Sequence, residues 1–134
     1  MILKFRKFKI KKFSDKRGNL CFLEKKNGLS FQIKRIYYFY NTRFLVKRGV
    51  HAHQKLEQIF LAINGKFKIK IDDGKKKKYY VLSKPSEAIY IPPMTWREIV
   101  PLKKNSTFLV LASRVYEKKD YIFEYKKFLK KIKK

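Results

Sequence analysis

Apolar and polar residues alternate with a period of two along most of this chain, and that spacing leaves little room for anything but β-strands. Residues 5–13 alternate and then meet a turn cluster, Asp15-Lys16-Arg17-Gly18-Asn19, before a second run at 20–24. Residues 31–40 are rich in β-formers, and 50–53 and 57–63 follow. Asn64-Gly65 and Asp73-Gly74 each sit between alternating runs, at 67–71 and 79–82, as hairpin turns do. The run at 88–91 stops at Pro92-Pro93, 96–100 resumes, and 107–112 is apolar enough for a buried strand. Short strands with turns every 8–12 residues predict a sandwich or barrel. Only the tail, 120–131, has helical spacing, through Tyr121, Tyr125 and Phe128, with Asp120 as a candidate N-cap. The expectation is one all-β domain over residues 1–134 with a short C-terminal helix. A chain of 134 residues can bury roughly two-thirds of its unfolded surface in one core.

The net charge of +26 would suit a nucleic-acid binder. Its make-up argues otherwise: 29 of the 36 basic residues are lysine and only 7 are arginine, the side chain that groove and phosphate readers favour. The lysines fall at alternate positions (Lys7, Lys9, Lys11; Lys66, Lys68, Lys70), as on solvated strand faces, and Lys75 to Lys78 read as a loop tip. No nucleic-acid partner is expected, although the positive field would steer an anionic substrate. With 45% hydrophobic residues the chain is not a disordered tail. No apolar run nears the ~18 residues of a membrane span, and the start does not read as a secretory signal. The one cysteine, Cys21, fits a reducing cytoplasm.

The only two histidines, His51 and His53, flank Ala52, so on a strand both imidazoles point to one face. Gly49-x-His51-x-His53-x-x-x-Glu57 with Gly65 beyond resembles the first motif of the cupin superfamily, a jelly-roll barrel. Metal-binding cupins add a histidine from a later strand, and Arg97 stands at that place here. Two histidines and one carboxylate fall short of the usual ligand set, and a guanidinium repels a cation, so no metal is expected. What remains is a cavity with two imidazoles able to move protons near neutral pH. Tyr37, two residues from Arg35 and on its face, could relay a proton or donate to an oxyanion. Arg48, beside Gly49, could hold a phosphate bidentately. Trp96 could stack on a sugar or base, or plug the barrel.

Longer segments resemble the cupin-type nucleotide-sugar 3,4-ketoisomerases, which act on dTDP-4-keto-6-deoxyglucose. They are Asp15-x-Arg17-Gly18-x-Leu20, Arg35-Ile36-Tyr37-Tyr38, Arg48-Gly49-Val50-His51-Ala52-His53, Gln58, Asp72-Asp73-Gly74, Pro92-Pro93 with Trp96, and Tyr116-Glu117-x-x-Asp120-Tyr121-Ile122. The resemblance implies that the keto group moves from carbon 4 to carbon 3 through an enediolate, with no cofactor. His51 would be the base at carbon 3, with His53 and Tyr37 shuttling protons or stabilising the enediolate. Arg48 and Arg97, and then Arg17 and Arg35, are the expected cations for the pyrophosphate, with Gln58 and Trp96 also in the binding site. It implies too a homodimer with exchanged N-terminal strands, and a 3-keto product destined for amination and a surface glycan. Two competing readings are a metal-dependent cupin oxygenase or isomerase on a small polar substrate, and a basic nucleic-acid module.

Overall fold

The structure, a computed structural model, describes residues 4–133. Its strands are β1 (Arg6–Lys9), β2 (Lys12–Asp15), β3 (Gly18–Cys21), β4 (Arg35–Phe39), β5 (Arg48–His53), β6 (Gln58–Asn64), β7 (Phe67–Asp72), β8 (Lys77–Leu82), β9 (Glu87–Ile91), β10 (Trp96–Pro101), β11 (Thr107–Ala112) and β12 (Tyr121–Ile122), before the helix α1 (Tyr125–Ile132). One five-stranded sheet runs β1-β9-β6-β11-β4 and the other β12-β5-β10-β7-β8, with all pairs antiparallel. The two sheets close face to face as the jelly-roll barrel that the alternation and the cupin-like motif predict.

Alternation decides what lies between the sheets. On β6, Phe60 and Ala62 turn inward, and on β11, Phe108 and Val110; Phe67, Ile69, Ile71 and Leu82 meet them from the second sheet. The residues of opposite parity are also covered. Ile59, Leu61, Tyr90 and Leu111 form a second cluster on the first sheet, under Phe8, Leu23, Phe31 and Ile33. α1 covers the second sheet, placing Phe128 against Ala52, Trp96 and Ile122.

Three sequence expectations shift. The 5–13 run is two strands, because Ile10 is buried in the outer cluster and its N–H is tied to the Ser86 carbonyl at 2.7 Å. β1 pairs with β9 of its own chain, while β2 and β3 leave the barrel as a separate hairpin. Of residues 31–40 only Arg35–Phe39 pair, since Phe31 and Ile33 pack onto the outer cluster instead. The tail forms a turn (Lys118–Asp120) and the two-residue β12 before α1 begins after Glu124, so Asp120 caps no α-helix. No helix among the described residues is long and apolar enough to cross a membrane.

Candidate active site

At one end of the barrel a cavity of about 240 Å³ is lined by Arg35, Tyr37, Arg48, His51, Arg97 and Tyr121, among others. Three strands supply its chemistry. On β4 every second residue turns inward, which presents Arg35, Tyr37 and Phe39, while the Ile36 and Tyr38 side chains are exposed, Tyr38 still bordering the cavity. β5 and β10 pair with Arg97 directly opposite His51, then slip register so that Ile99 faces Arg48. Gly49 sits at this slip with φ +63°, and a β-carbon there would lie 3.1 Å from Ile99 Cδ1 and 3.9 Å from His51 Cε1. Gly49→Ala is therefore expected to lose about 1–2 kcal/mol from the left-handed backbone alone, read from denaturant midpoints, and to raise KM as Ile99 shifts.

A hydrogen-bonded chain crosses the barrel. The buried Arg97 guanidinium donates through Nε to the Thr95 carbonyl (3.2 Å) and through Nη1 to Gln58 Oε1; Gln58 Nε2 then donates to the Tyr37 hydroxyl at 3.0 Å. With its oxygen accepting from Gln58, Tyr37 keeps its own proton to give to something in the cavity. Burial raises the Tyr37 pKa, so the phenol stays protonated at neutral pH. Burial lowers Arg97 to about 10, which leaves it cationic. Arg35 Nε and Arg97 Nη2 are buried donors with no partner among the described residues. Such orphaned donors in a cavity mark where a ligand's oxygens belong.

The two imidazoles sit edge to face, ring centroids 4.7 Å apart at 89°. Burial first, then the Arg97 charge, lowers His51 to about 3, and the same causes hold His53 far below its usual value. Both are neutral at pH 7. His53 is 0% exposed and Asp120 Oδ2 lies 3.2 Å from its Nδ1. A histidine that is neutral when folded but titrates near 6.5 when unfolded leaves the unfolded state holding more protons between those values. Stability is then full above about pH 6.5 and falls as pH drops toward 3, by at most ~1.4 kcal/mol per pH unit per histidine. Denaturant midpoints against pH should show this slope, and His51→Asn should make it shallower.

Several expected site residues lie elsewhere. Trp96 faces away from the cavity because its neighbour Arg97 faces in: it packs edge-on to Tyr125 (5.4 Å, 81°) under α1 and donates to Glu98 Oε2. Arg17 is at the tip of the β2–β3 hairpin, its side chain 89% exposed and paired with Asp15 at 2.6 Å, outside its own chain's cavity. Gln58 is fully buried with both ends of its amide engaged by Arg97 and Tyr37, so it bridges protein groups instead of meeting a substrate. Arg97 does line the cavity but is 1% exposed, buried on β10 opposite His51, whereas Arg48 is exposed. His53 packs behind His51 and Tyr121 and is not in the cavity wall. The carboxylate of the metal-cupin motif, Glu57, accepts from the Tyr90 hydroxyl at 2.6 Å, and Tyr90 belongs to the outer cluster. Sequence reasoning assigns no role in the site to Tyr121, whose ring lies tilted or edge-on 4.9 Å from His51 and 4.3 Å from His53, or to the Asp120 carboxylate. A concavity of about 840 Å³ lies outside the first sheet against Cys21, Leu23, Ile33, Leu61 and Leu109; it is mostly apolar and shares no lining residue with this site.

Comparison with known proteins bears on what the cavity holds. Residues 3–133 match the family described as FdtA: WxcM-like, C-terminal. Over 122 residues, 91% of this chain and 88% of the relative, it is 38% identical to the TDP-4-oxo-6-deoxy-alpha-D-glucose-3,4-oxoisomerase of Aneurinibacillus thermoaerophilus. It superposes on a 3,4-ketoisomerase from Helicobacter canadensis with a TM-score of 0.93 at 34% identity, covering 99% of this chain and 100% of that one. QdtA, a sugar 3,4-ketoisomerase from Thermoanaerobacterium thermosaccharolyticum solved with TDP, gives 0.91 at 35% identity over 99% and 97% of the two chains. A histidine-to-asparagine variant of QdtA has been solved with TDP-4-keto-6-deoxyglucose, with a TM-score of 0.91 at 34% identity over 99% and 96%.

Proposed function

The chain belongs to the FdtA, WxcM-like C-terminal family, and on that premise we propose that it is a dTDP-4-keto-6-deoxyhexose 3,4-ketoisomerase whose residues 1–134 work as one domain. The observation that carries this is the convergence on one small cavity of a neutral imidazole, a protonated phenol and a buried guanidinium with a free N–H. Those are a base, an acid and an oxyanion donor. About 240 Å³ is below the ~300 Å³ at which pockets begin to enclose whole drug-sized ligands. Only the sugar enters, and the nucleotide stays at the mouth.

The proton on carbon 3 is acidic because it lies α to the 4-ketone. His51 takes it, and the electron pair moves through a carbon 3–carbon 4 double bond onto the carbonyl oxygen, giving an enediolate. Arg97 Nη2 and the Tyr37 hydroxyl stabilise that oxygen. Loss of the proton from the oxygen on carbon 3, return of one proton to carbon 4 and of one to the oxygen on carbon 4 complete the isomer, with no net change in atoms or electrons. Arg48, exposed at the mouth with its guanidinium 4.6 Å from the Phe39 ring centroid, and Arg35 are the cations for the pyrophosphate. The reaction itself needs no redox cofactor or metal, and a cytoplasmic location fits a nucleotide-sugar substrate.

Assembly as a homodimer completes the reading; exchange of N-terminal strands would seat a neighbour's β1 where this chain's own β1 pairs with β9. β1 is short, the hairpin beyond it leaves the barrel, and Phe13 and Phe22 stack on the hairpin (5.9 Å, 9°) while exposed. In such a dimer Arg17 serves the site only from the neighbouring copy. A test of the chemistry is turnover of dTDP-4-keto-6-deoxyglucose after exhaustive treatment with a chelator. Full activity is expected; activity lost to the chelator and restored by iron or manganese would favour the metal-dependent alternative.

A further inference from the structure

We infer that Asp120 is the positioning residue that sets the tautomer of His53 for the isomerisation, taking the Nδ1 proton and leaving Nε2 as the basic nitrogen. The inference rests on the ketoisomerase reading above. Asp120 ends the turn Lys118–Asp120, which is strapped to the residues after His53 in three places. Gln54 N–H donates to the Asp120 carbonyl (3.0 Å), Gln54 Nε2 donates to the Lys119 carbonyl (3.0 Å), and Lys55 N–H donates to Asp120 Oδ1 (2.8 Å). β12 then pairs Tyr121 with His53, fixing the same junction from the other side. One carboxylate oxygen is thus committed to the main chain, and the other is left 3.2 Å from His53 Nδ1.

A carboxylate only accepts hydrogen bonds, so Nδ1 must carry the proton. With the imidazole neutral, the lone pair is then at Nε2. That nitrogen is buried and accepts nothing from the described residues, just as Arg97 Nη2 and Arg35 Nε donate to none of them. The His53 ring lies against His51, the base, and 4.3 Å from Tyr121, which lines the cavity. From behind the cavity wall such an acceptor can take, by relay through the groups that line the wall, the proton that must leave the oxygen on carbon 3. With the opposite tautomer the site would gain a further donor and have no second base.

Asp120→Asn separates this role from a structural one. The amide oxygen still accepts from Lys55, but its NH₂ now donates to Nδ1 and moves the ring proton to Nε2. The chain has 2 histidines, so nitrogen-15 spectra of the rings assign each tautomer without crowding. The native enzyme is expected to show His53 protonated at Nδ1. Asp120→Asn should show it at Nε2, with kcat down about 10²–10⁴-fold and TDP affinity unchanged. Asp120→Glu, which keeps a carboxylate, should recover the Nδ1 tautomer and part of kcat. A native His53 protonated at Nε2, a flipped tautomer with full kcat, or a loss of kcat matched by an equal loss of TDP affinity would each overturn the inference. If the native enzyme isomerises nothing, the functional reading fails while the tautomer result stands apart from it.

Discussion

Replacing His51 with asparagine is expected to lower isomerisation by about 10²–10⁴-fold, the range a positioned general base contributes, while TDP still binds. The side chain lines the cavity on β5, opposite Arg97 on β10, and no other neutral imidazole reaches that wall. Burial and the Arg97 charge keep His51 unprotonated through the physiological range, so the whole population carries the lone pair the reaction needs. A base held that low is weak in the empty site, and the negative charge arriving on the enediolate and pyrophosphate offsets the shift when it matters. Asparagine keeps a similar size without a basic nitrogen. Near-normal turnover in this variant would remove His51 from the base role; loss of TDP affinity in step with kcat would point to a damaged fold.

Arg97→Met should be the second severe variant, with kcat reduced about 10²–10³-fold, as for loss of one oxyanion donor. It has a second signature. Arg97 is one of the causes that depress His51, behind burial, so its removal raises the His51 pKa. Because His51 must be neutral to act, activity is lost below its pKa, and raising that pKa moves the acid limb up. The native pH profile should run flat through 6.5, and the variant's should fall at higher pH than the native. Arg35, His53, Tyr37, Tyr121 and Asp120 surround the same space; behind burial, the Arg97 charge also acts on His53 and Tyr37, so both rise with His51 on its removal. The variant leaves the buried Gln58 Oε1 and Thr95 carbonyl without their donor, at a cost of about 1–3 kcal/mol for each orphaned acceptor, so kcat is compared well below the lowered melting temperature. A variant with native kcat and an unmoved acid limb would exclude Arg97 from the chemistry.

What could be read from the sequence follows from where side-chain parity is visible. On β4 the alternation alone puts Arg35 and Tyr37 on one face, and both line the cavity. The hairpins at Asn64-Gly65 and Asp73-Gly74 and the strand Thr107–Ala112 needed only local signals. Trp96 and Arg97 show the limit: as neighbours on a strand they cannot share a face, yet both carry chemistry that suits a sugar site. The turn at Pro92-Pro93-Met94 hides which parity wins, and it is the packing of α1 that claims Trp96. Gln58 looks like a substrate ligand because its partners, Tyr37 and Arg97, are 21 and 39 residues away. Asp120 reads as a helix cap since the two-residue strand after it is too short to signal itself. Arg17 belongs to a hairpin that leaves the barrel, and nothing local in a sequence reports that departure.

Proton NMR of the product formed from dTDP-4-keto-6-deoxyglucose in deuterated water tests the central claim most directly. A 3-keto isomer carrying solvent deuterium at carbon 4 is expected, since the proton returned there passes through exchangeable groups on His51, His53 or Tyr37. A 4-keto sugar left unchanged by fully folded, TDP-binding enzyme would contradict it.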